Sequence, residues 1–568
     1  VLEYKDKTGT YNRSNEWSVG ATVGSGVPSS VILDNAVVDL SNPTGDTTDE
    51  DFTIPANLTL LNAGGLNIDP TKTLTVDAIS NVNGTVTLNS TSQRFASLIA
   101  ESVSGSGAFV YNRHVNGRLG VGIGSGANDL VSAPVSGETF GVFAANPANS
   151  NLLANTNPGL TTQRAFGPFN KSTGAYQNWD TVINANNVLV AGVGYRAATT
   201  DNGSLTFTGA MNTGTITNNI VNSGPAFAPY NLIGNPYPSY INVREFLEFV
   251  VDGVSDPIVR NIDLMTNMGA IYGYDGDASG IGSSGWIVYN LTTPTSVNLA
   301  PGQGFLVTAD PADVAAYDMT FVPAIRRIDV TDDLILGRLI NNAHIKLQAT
   351  MGTSNFKTDI FFNEASSSGI DFGYDAAVFG SNAAAKALYS QLVQNNTGVD
   401  LAIQSLAYSD LGSDLRIPIG INAPQGQQVT VSLAEMTLPE NITVYLEDSL
   451  NNTFTILNTN EYVFTANSNL NDVGRFYVRF NENTLSTDGS TLDLLQIYAL
   501  NKTLHIKGLL NAATAVDLYD IQGRKVLSAG LKSGTTDNSI DVSNVSTGVY
   551  IVKMTNNSQE KTQRVIIK

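Results

Sequence analysis

Between Val31 and Tyr111 the chain repeats short bursts of β-favouring residues, each broken off by Asn, Gly, Asp or Pro. The clearest bursts are 31–33, 36–40, 58–61, 74–76, 86–88, 97–99 and 109–111, and from Thr73 onward their starts fall near 73, 85, 97 and 108, eleven or twelve residues apart. A short strand cannot bury its own apolar face. Recurrence at a fixed spacing therefore predicts coils that stack and bury apolar side chains against one another, with polar or glycine corners. A short β-solenoid satisfies this pattern. A meandering sandwich is the other reading, because the repeats are few and degenerate.

The remaining sequence continues to alternate apolar and polar residues, and 568 residues exceed what one core accommodates. The expected class is mainly β: a solenoid or irregular β stalk, then jelly-roll-like and immunoglobulin-like sandwiches, then a small C-terminal β-sandwich. The divisions are 1–115 for the solenoid-like region, 116–323 for a jelly-roll-like module, 324–485 for a sandwich and 491–568 for the terminal domain. Asn235-Pro-Tyr-Pro238 reads as a rigid turn, since each proline fixes φ and removes a donor. Two helices are expected. One lies in Val243–Val251, with Phe246, Leu247 and Val250 near one face, and the other in Ala383–Val393, rich in good helix formers. The polar stretch Glu482–Ser490 reads as an exposed linker.

The formal charge of −20 is unevenly distributed. Residues 491–568 hold nine Lys/Arg against six Asp/Glu, a net of +3, whereas residues 1–490 hold 21 against 44, a net of −23. An acidic surface of this kind opposes nucleic-acid binding. Cysteine is absent, which removes disulfides, thiolate metal sites and thiol nucleophiles. No apolar run approaches the roughly 18 residues needed to cross a bilayer as a helix. The start at Val1 lacks the basic and apolar segments of a signal peptide, and is read as a mature N-terminus or a fragment boundary.

Motifs for catalysis are scarce. His114, His344 and His505 fall in different expected domains, and there is no HExxH, no nucleophile elbow and no phosphate loop. The run Gly120–Gly126 is glycine-rich but lacks the βαβ context of a dinucleotide site, and reads as a loop. Carboxylate pairs such as Asp371 with Asp375, or Glu364 with Asp371, have the residue types of a glycan hydrolase, but turn formation accounts for them. Calcium is the cofactor best matched to this oxygen-rich chain, with Asp275 and Asp277 as its candidate ligands; an Asp-Gly hairpin turn explains the same residues. Trp179, Tyr272, Tyr274 and Trp286 are candidates for stacking on sugar rings, against a core role.

At the C-terminus, Leu495–Gly508, Ala515–Leu527, Ile540–Lys553 and Arg564–Lys568 read as strands, with turns at Gln522-Gly523 and Thr547-Gly548. The order of a Tyr-Asp-x-x-Gly-Arg turn, a Gly-Val-Tyr-Ile-Val-Lys strand and a basic terminal strand resembles the C-terminal sorting domain of type IX secretion cargo of Gram-negative bacteria. The matching residues are Tyr519, Asp520, Gly523, Arg524, Gly548, Tyr550, Lys553 and Lys568. The usual Pro-Asn-Pro start is replaced by Tyr498–Thr503. The segment 108–322 is similar to a passenger module of large surface proteins with the same terminal domain. It carries the Asn-Pro-Tyr-Pro turn, Gly285–Tyr289 and Leu299–Val307.

The resemblance implies several partners: the type IX translocon, an outer-membrane β-barrel shuttle protein and a sortase-like peptidase. It also implies passage through the periplasm to the cell surface or the medium. The expected passenger is a non-enzymatic adhesin-like binder of an extracellular glycan or surface ligand. A secreted carboxylate-dependent glycan hydrolase and a structural surface-layer component are the alternatives.

Overall fold

The structure is a computed structural model. It describes residues 2–5, 11–14, 30–34, 37–40, 50–61, 64–115, 128–255, 257–266, 268–274, 276, 286–332, 343–380, 382–394, 396, 398–412, 415–439, 442–482, 492, 495–508, 510, 512–556 and 559–568. Side chains are described from Asn57 onward, apart from those of Glu482 and Gln559. Two compact units result. The first comprises Val1–Asp410, Ile417–Leu438 and Glu461–Phe476, and the second Leu411–Arg416, Pro439–Asn460 and Tyr477–Lys568. Both are built mainly of strands, as the alternation predicts.

The first unit begins with two parallel sheets. Ser30–Asp34, Glu50–Leu61, Lys72–Asn81 and Ser97–Ser104 form one, and Val37–Leu40, Gly65–Ile68, Thr85–Asn89 and Ala108–His114 the other. Successive strands alternate between the sheets, so the eleven-to-twelve-residue spacing is half of one coil. In-register pairing stacks Leu66 on Val86 on Phe109, and Ile68 on Leu88 on Tyr111. The facing sheet stacks Leu74 on Leu98 and Val76 on Ala100, all of them buried. Each fully buried aliphatic side chain contributes about 1.5–3 kcal/mol, and parallel stacking repeats that gain at every coil.

The corners are held by Asn81. Its Oδ1 accepts from the Gly84 amide at 3.0 Å and its Nδ2 donates to the Ala108 carbonyl at 3.2 Å. Gly105 turns there at φ +93, where a Cβ would lie 2.1 Å from the Asn81 carbonyl oxygen. Only glycine fits.

The second sheet does not stop at residue 115. Ala108–His114 pairs antiparallel with Ser204–Met211, which in turn pairs with Val135–Ser136, so sheet and core run on into the next segment. That core ends in an aromatic stack of Phe140, Phe143, Phe166, Trp179, Tyr195 and Phe207. Beyond it, Tyr230–Gly234, Gly304–Thr308, Ile271–Tyr274 and Trp286–Tyr289 make an antiparallel sheet. The turn after Tyr230–Gly234 is pinned by buried Asn235, whose Nδ2 donates to the carbonyls of Ser239 and Ala300 while Oδ1 accepts from the Tyr237 amide. The helix expected after it is Val243–Glu248, capped by Asn242, with Phe246 and Leu247 buried. Val250 lies outside it, in an exposed strand position.

The other expected helix is overturned. Within 383–393 the chain forms the strand Ala387–Ser390, paired with Ile419–Asn422. Tyr389 fits there only because Gly420 lacks a side chain: a Cβ at Gly420 would sit 2.2 Å from the Tyr389 ring. Tertiary pairing outweighs the local helix propensity of Ala, Lys and Leu. The rest of this sheet centres on Ala343–Met351, hydrogen-bonded to Ser354–Asn363 on one side and Gln428–Thr437 on the other, with Leu401–Ala407 parallel to Ser354–Asn363.

In the second unit, Gln496–Leu500, Thr503–Lys507 and Asp537–Asp541 form one sheet. Lys525–Leu531, Thr514–Asp520, Gly548–Asn556 and Gln559–Ile567 form another. Leu504, Ile506, Val516, Leu518, Val552, Met554, Val565 and Ile567 fill the space between them. The expected linker at 482–490 lies, beyond Glu482, outside the described residues.

Candidate functional site

The eight residues singled out in the terminal domain all fall on the four-stranded sheet or at its ends. Asp520 closes the turn: its Oδ1 accepts from the amides of Gln522 and Arg524, and its Oδ2 from Arg524 Nε at 2.8 Å. These bonds, the Arg524 amide first, hold its carboxyl below the usual range. Gly523 sits at φ +80, so this turn requires glycine. Gly548 does not share that requirement. It opens a strand outside the left-handed region, and its Cβ would make ordinary contact with Tyr550. The Tyr550 ring is buried, and its hydroxyl donates to the Ser546 carbonyl at 2.9 Å.

Tyr519 and Lys553 lie on the outward face, where Tyr519 pairs with Ile551, and Lys553 binds Glu560 at 2.7 Å. Lys568 follows the last strand and is exposed. The outward face also carries apolar residues that the motif does not include. Val549 is 40 % exposed, Ile551 42 % and Ile566 55 %, with Val549 directly opposite Ile566 and Ile551 opposite Arg564. Gln559–Ile567 ends the ladder, pairing on one side only among the described residues.

A second constellation lies in the first unit. On Ala343–Met351, His344 and Lys346 point to the same face, beside Asp359 and Phe361 of the next strand and Glu435 of the strand beyond. His344 Nε2 is 2.7 Å from Asp359 Oδ1, and the His344 ring stacks on Phe361 at 4.3 Å. Lys346 Nζ donates to Glu435 Oε1 at 2.7 Å and lies 3.7 Å from Asp359 Oδ1. Val288, Thr292, Thr293, Pro294 and Ile403 complete the lining of a small cleft. The sequence places His344 in the expected 324–485 sandwich but does not reveal this cluster, because Glu435 joins Lys346 from 89 residues away.

The other candidates disperse. Trp179 and Tyr272 are buried in different cores, and Trp286 stacks face to face on Phe379 at 3.9 Å, so no row of free rings exists among these four. Tyr274 packs edge-on against Trp286. Asp375 is fully buried and accepts from the amides of Asp371 and Ser405, and burial pushes its carboxyl up to about 7. Asp371 in turn holds the Ser367 amide and hydroxyl, so this pair braces a loop. Glu364 is exposed at the preceding turn. Asp275 and Asp277, the candidate calcium ligands, lie outside the described residues, as does the glycine-rich run 120–126. Among the described residues no group of three or more His, Asp or Glu side chains is arranged to hold a metal ion. No helix among them is long and apolar enough to cross a membrane.

The terminal sandwich, with its Asp520–Arg524 turn, defines a type IX secretion cargo: residues 500–568 match the family described as "Secretion system C-terminal sorting domain". Over residues 7–480 the chain belongs to the family described as "Domain of unknown function (DUF8693)". No curated protein matches. Among solved structures the chain is similar to one titled "Biofilm associated protein - BSP domain", at 12 % identity and a TM-score of 0.15. The overlap covers 25 % of this chain and 27 % of that one.

Proposed function

We propose that the chain is delivered through the periplasm and across the outer membrane by its terminal sandwich, and that its passenger acts at the cell surface or in the medium as a non-enzymatic, adhesin-like binder. The observation that carries the export half is the match of residues 500–568 to a sorting domain, folded around the Asp520–Arg524 turn. Export of this kind needs a folded surface that another protein can read. The outward face with Val549, Ile551 and Ile566 supplies apolar area beside Arg564 and the Lys553–Glu560 ion pair. Its intended partners are the translocon and a β-barrel shuttle protein, with the open edge of Gln559–Ile567 available for strand addition. Cleavage by a sortase-like peptidase would fall before residue 500.

The binding half rests on the passenger's make-up. Its acidic side chains with perturbed titration brace loops and cores, as Asp375 does, and its stacked coils offer long ordered faces suited to repeated weak contacts. The test is retention of the purified full chain on immobilised polysaccharides, with soluble products assayed in parallel. Retention without products is expected. Products that vanish on substitution of a single Asp or Glu would replace this reading with a hydrolase.

A further inference from the structure

Lys346 is the middle member of a row that crosses three strands, in backbone register with Asp359 on one side and Glu435 on the other. Its side chain is 4 % exposed, and Nζ reaches both carboxylates, at 2.7 Å for Glu435 and 3.7 Å for Asp359. Phe361, Ile403, Val288 and Pro294 close around it. Burying an ammonium and a carboxylate together incurs a desolvation cost that their attraction offsets only in part. A reaction that removes both charges relieves it.

We propose that Lys346 and Asp359 condense to a side-chain amide, a covalent cross-link across the hairpin Ala343–Asn363, with Glu435 as the proton carrier. One proton passes from the Lys346 ammonium to the Asp359 carboxylate, and the free amine attacks Asp359 Cγ. Glu435 removes a second proton from the nitrogen and delivers it to the departing hydroxyl, which leaves as water. The C–O bond breaks as the C–N bond forms. Ammonium plus carboxylate become amide plus one water, neutral on both sides, and neither oxidant nor cofactor is consumed.

His344, bound to Asp359 Oδ1 at 2.7 Å, holds that carboxyl toward the lysine and polarises it. Backbone register supplies the proximity, since groups fixed in this way react with effective molarities of about 10⁵–10⁸ M. Glu435, 56 % exposed, opens the site on one side and gives the released water an exit.

The test is the intact mass of the full chain under denaturing conditions, followed by proteolysis and tandem mass spectrometry. The expected result is a mass one water below that of the sequence, with a branched peptide joining Lys346 to Asp359. Lys346→Arg and Asp359→Ala should each restore the full mass, and Glu435→Gln should leave most chains unlinked. A denatured, unsubstituted chain at full sequence mass overturns the proposal, and needs no variant to fold. A lost water that maps to any other residues overturns it equally.

Discussion

In the stacked coils Gly65–Ile68 and Thr85–Asn89 have a parallel neighbour on each side, and their apolar residues Leu66 and Val86 stack inward. In the C-terminal sandwich the last strand ends its ladder, and Val549, Ile551 and Ile566 face outward in the alternate register positions of equally well-packed strands. Both regions follow the same period-two alternation. They differ in what the second face is for. A coil directs its apolar residues inward and needs only its neighbours, whereas the terminal sandwich has a filled core and keeps further apolar area on its other face.

Three variants test this contrast. Leu88→Ala removes the middle of a fully buried ladder and should cost about 2–5 kcal/mol, seen as earlier denaturant unfolding of the first unit alone. An unchanged midpoint would mean that the coils do not share one core.

The next effect depends on pH, and its sign differs between Glu138 and the carboxylates of the terminal sandwich. Burial pushes Glu138 up to about 7 in the first unit, its Oε2 accepting from the Thr208 amide. With an ordinary value of 4.5, its contribution is fully present below about 4.5 and is lost as pH rises through about 7. Asp375 shifts in the same sense. Asp517, Asp520 and Asp541 of the terminal sandwich are held low by hydrogen bonds, chiefly from the Ser528 hydroxyl and the Arg524 and Ser543 amides. Their contribution is present above the ordinary carboxylate range and is lost as pH falls through the lowered values. Glu138→Gln should therefore stabilise the first unit by on the order of 1–3 kcal/mol at pH 8 and by little at pH 4, leaving the sandwich unaffected. Melting curves at the two pH values check this.

The smallest effect on stability, and the sharpest on function, is expected from Ile551→Thr combined with Ile566→Thr. Both side chains are about half exposed, so unfolding should move by less than about 0.5 kcal/mol. Surface display should nevertheless fall, as measured by protease accessibility on whole cells. Normal display would leave the outward face without a role in export.

Much of the architecture was legible because strand periodicity is local. The half-coil spacing is visible in burst starts near 73, 85, 97 and 108, and the strands of the coils begin at 72, 85, 97 and 108. The terminal sandwich was legible for a similar reason, since Asp520, Gly523 and Arg524 form their turn within five residues. What failed depended on distant partners. Ala383–Val393 has helical composition, yet Tyr389 is received by Gly420 from another strand. Gly548 resembles Gly523 in sequence but not in backbone conformation. The Lys346 cleft needs three strands in register, and Trp286 is claimed by Phe379 rather than left free.

Whether the C-terminal sandwich directs export is settled by deleting residues 491–568 in the native host and following the passenger by cell fractionation and surface proteolysis. Folded passenger retained in the periplasm, with none on the surface, is the expected result. Undiminished surface display of the truncated chain would contradict it.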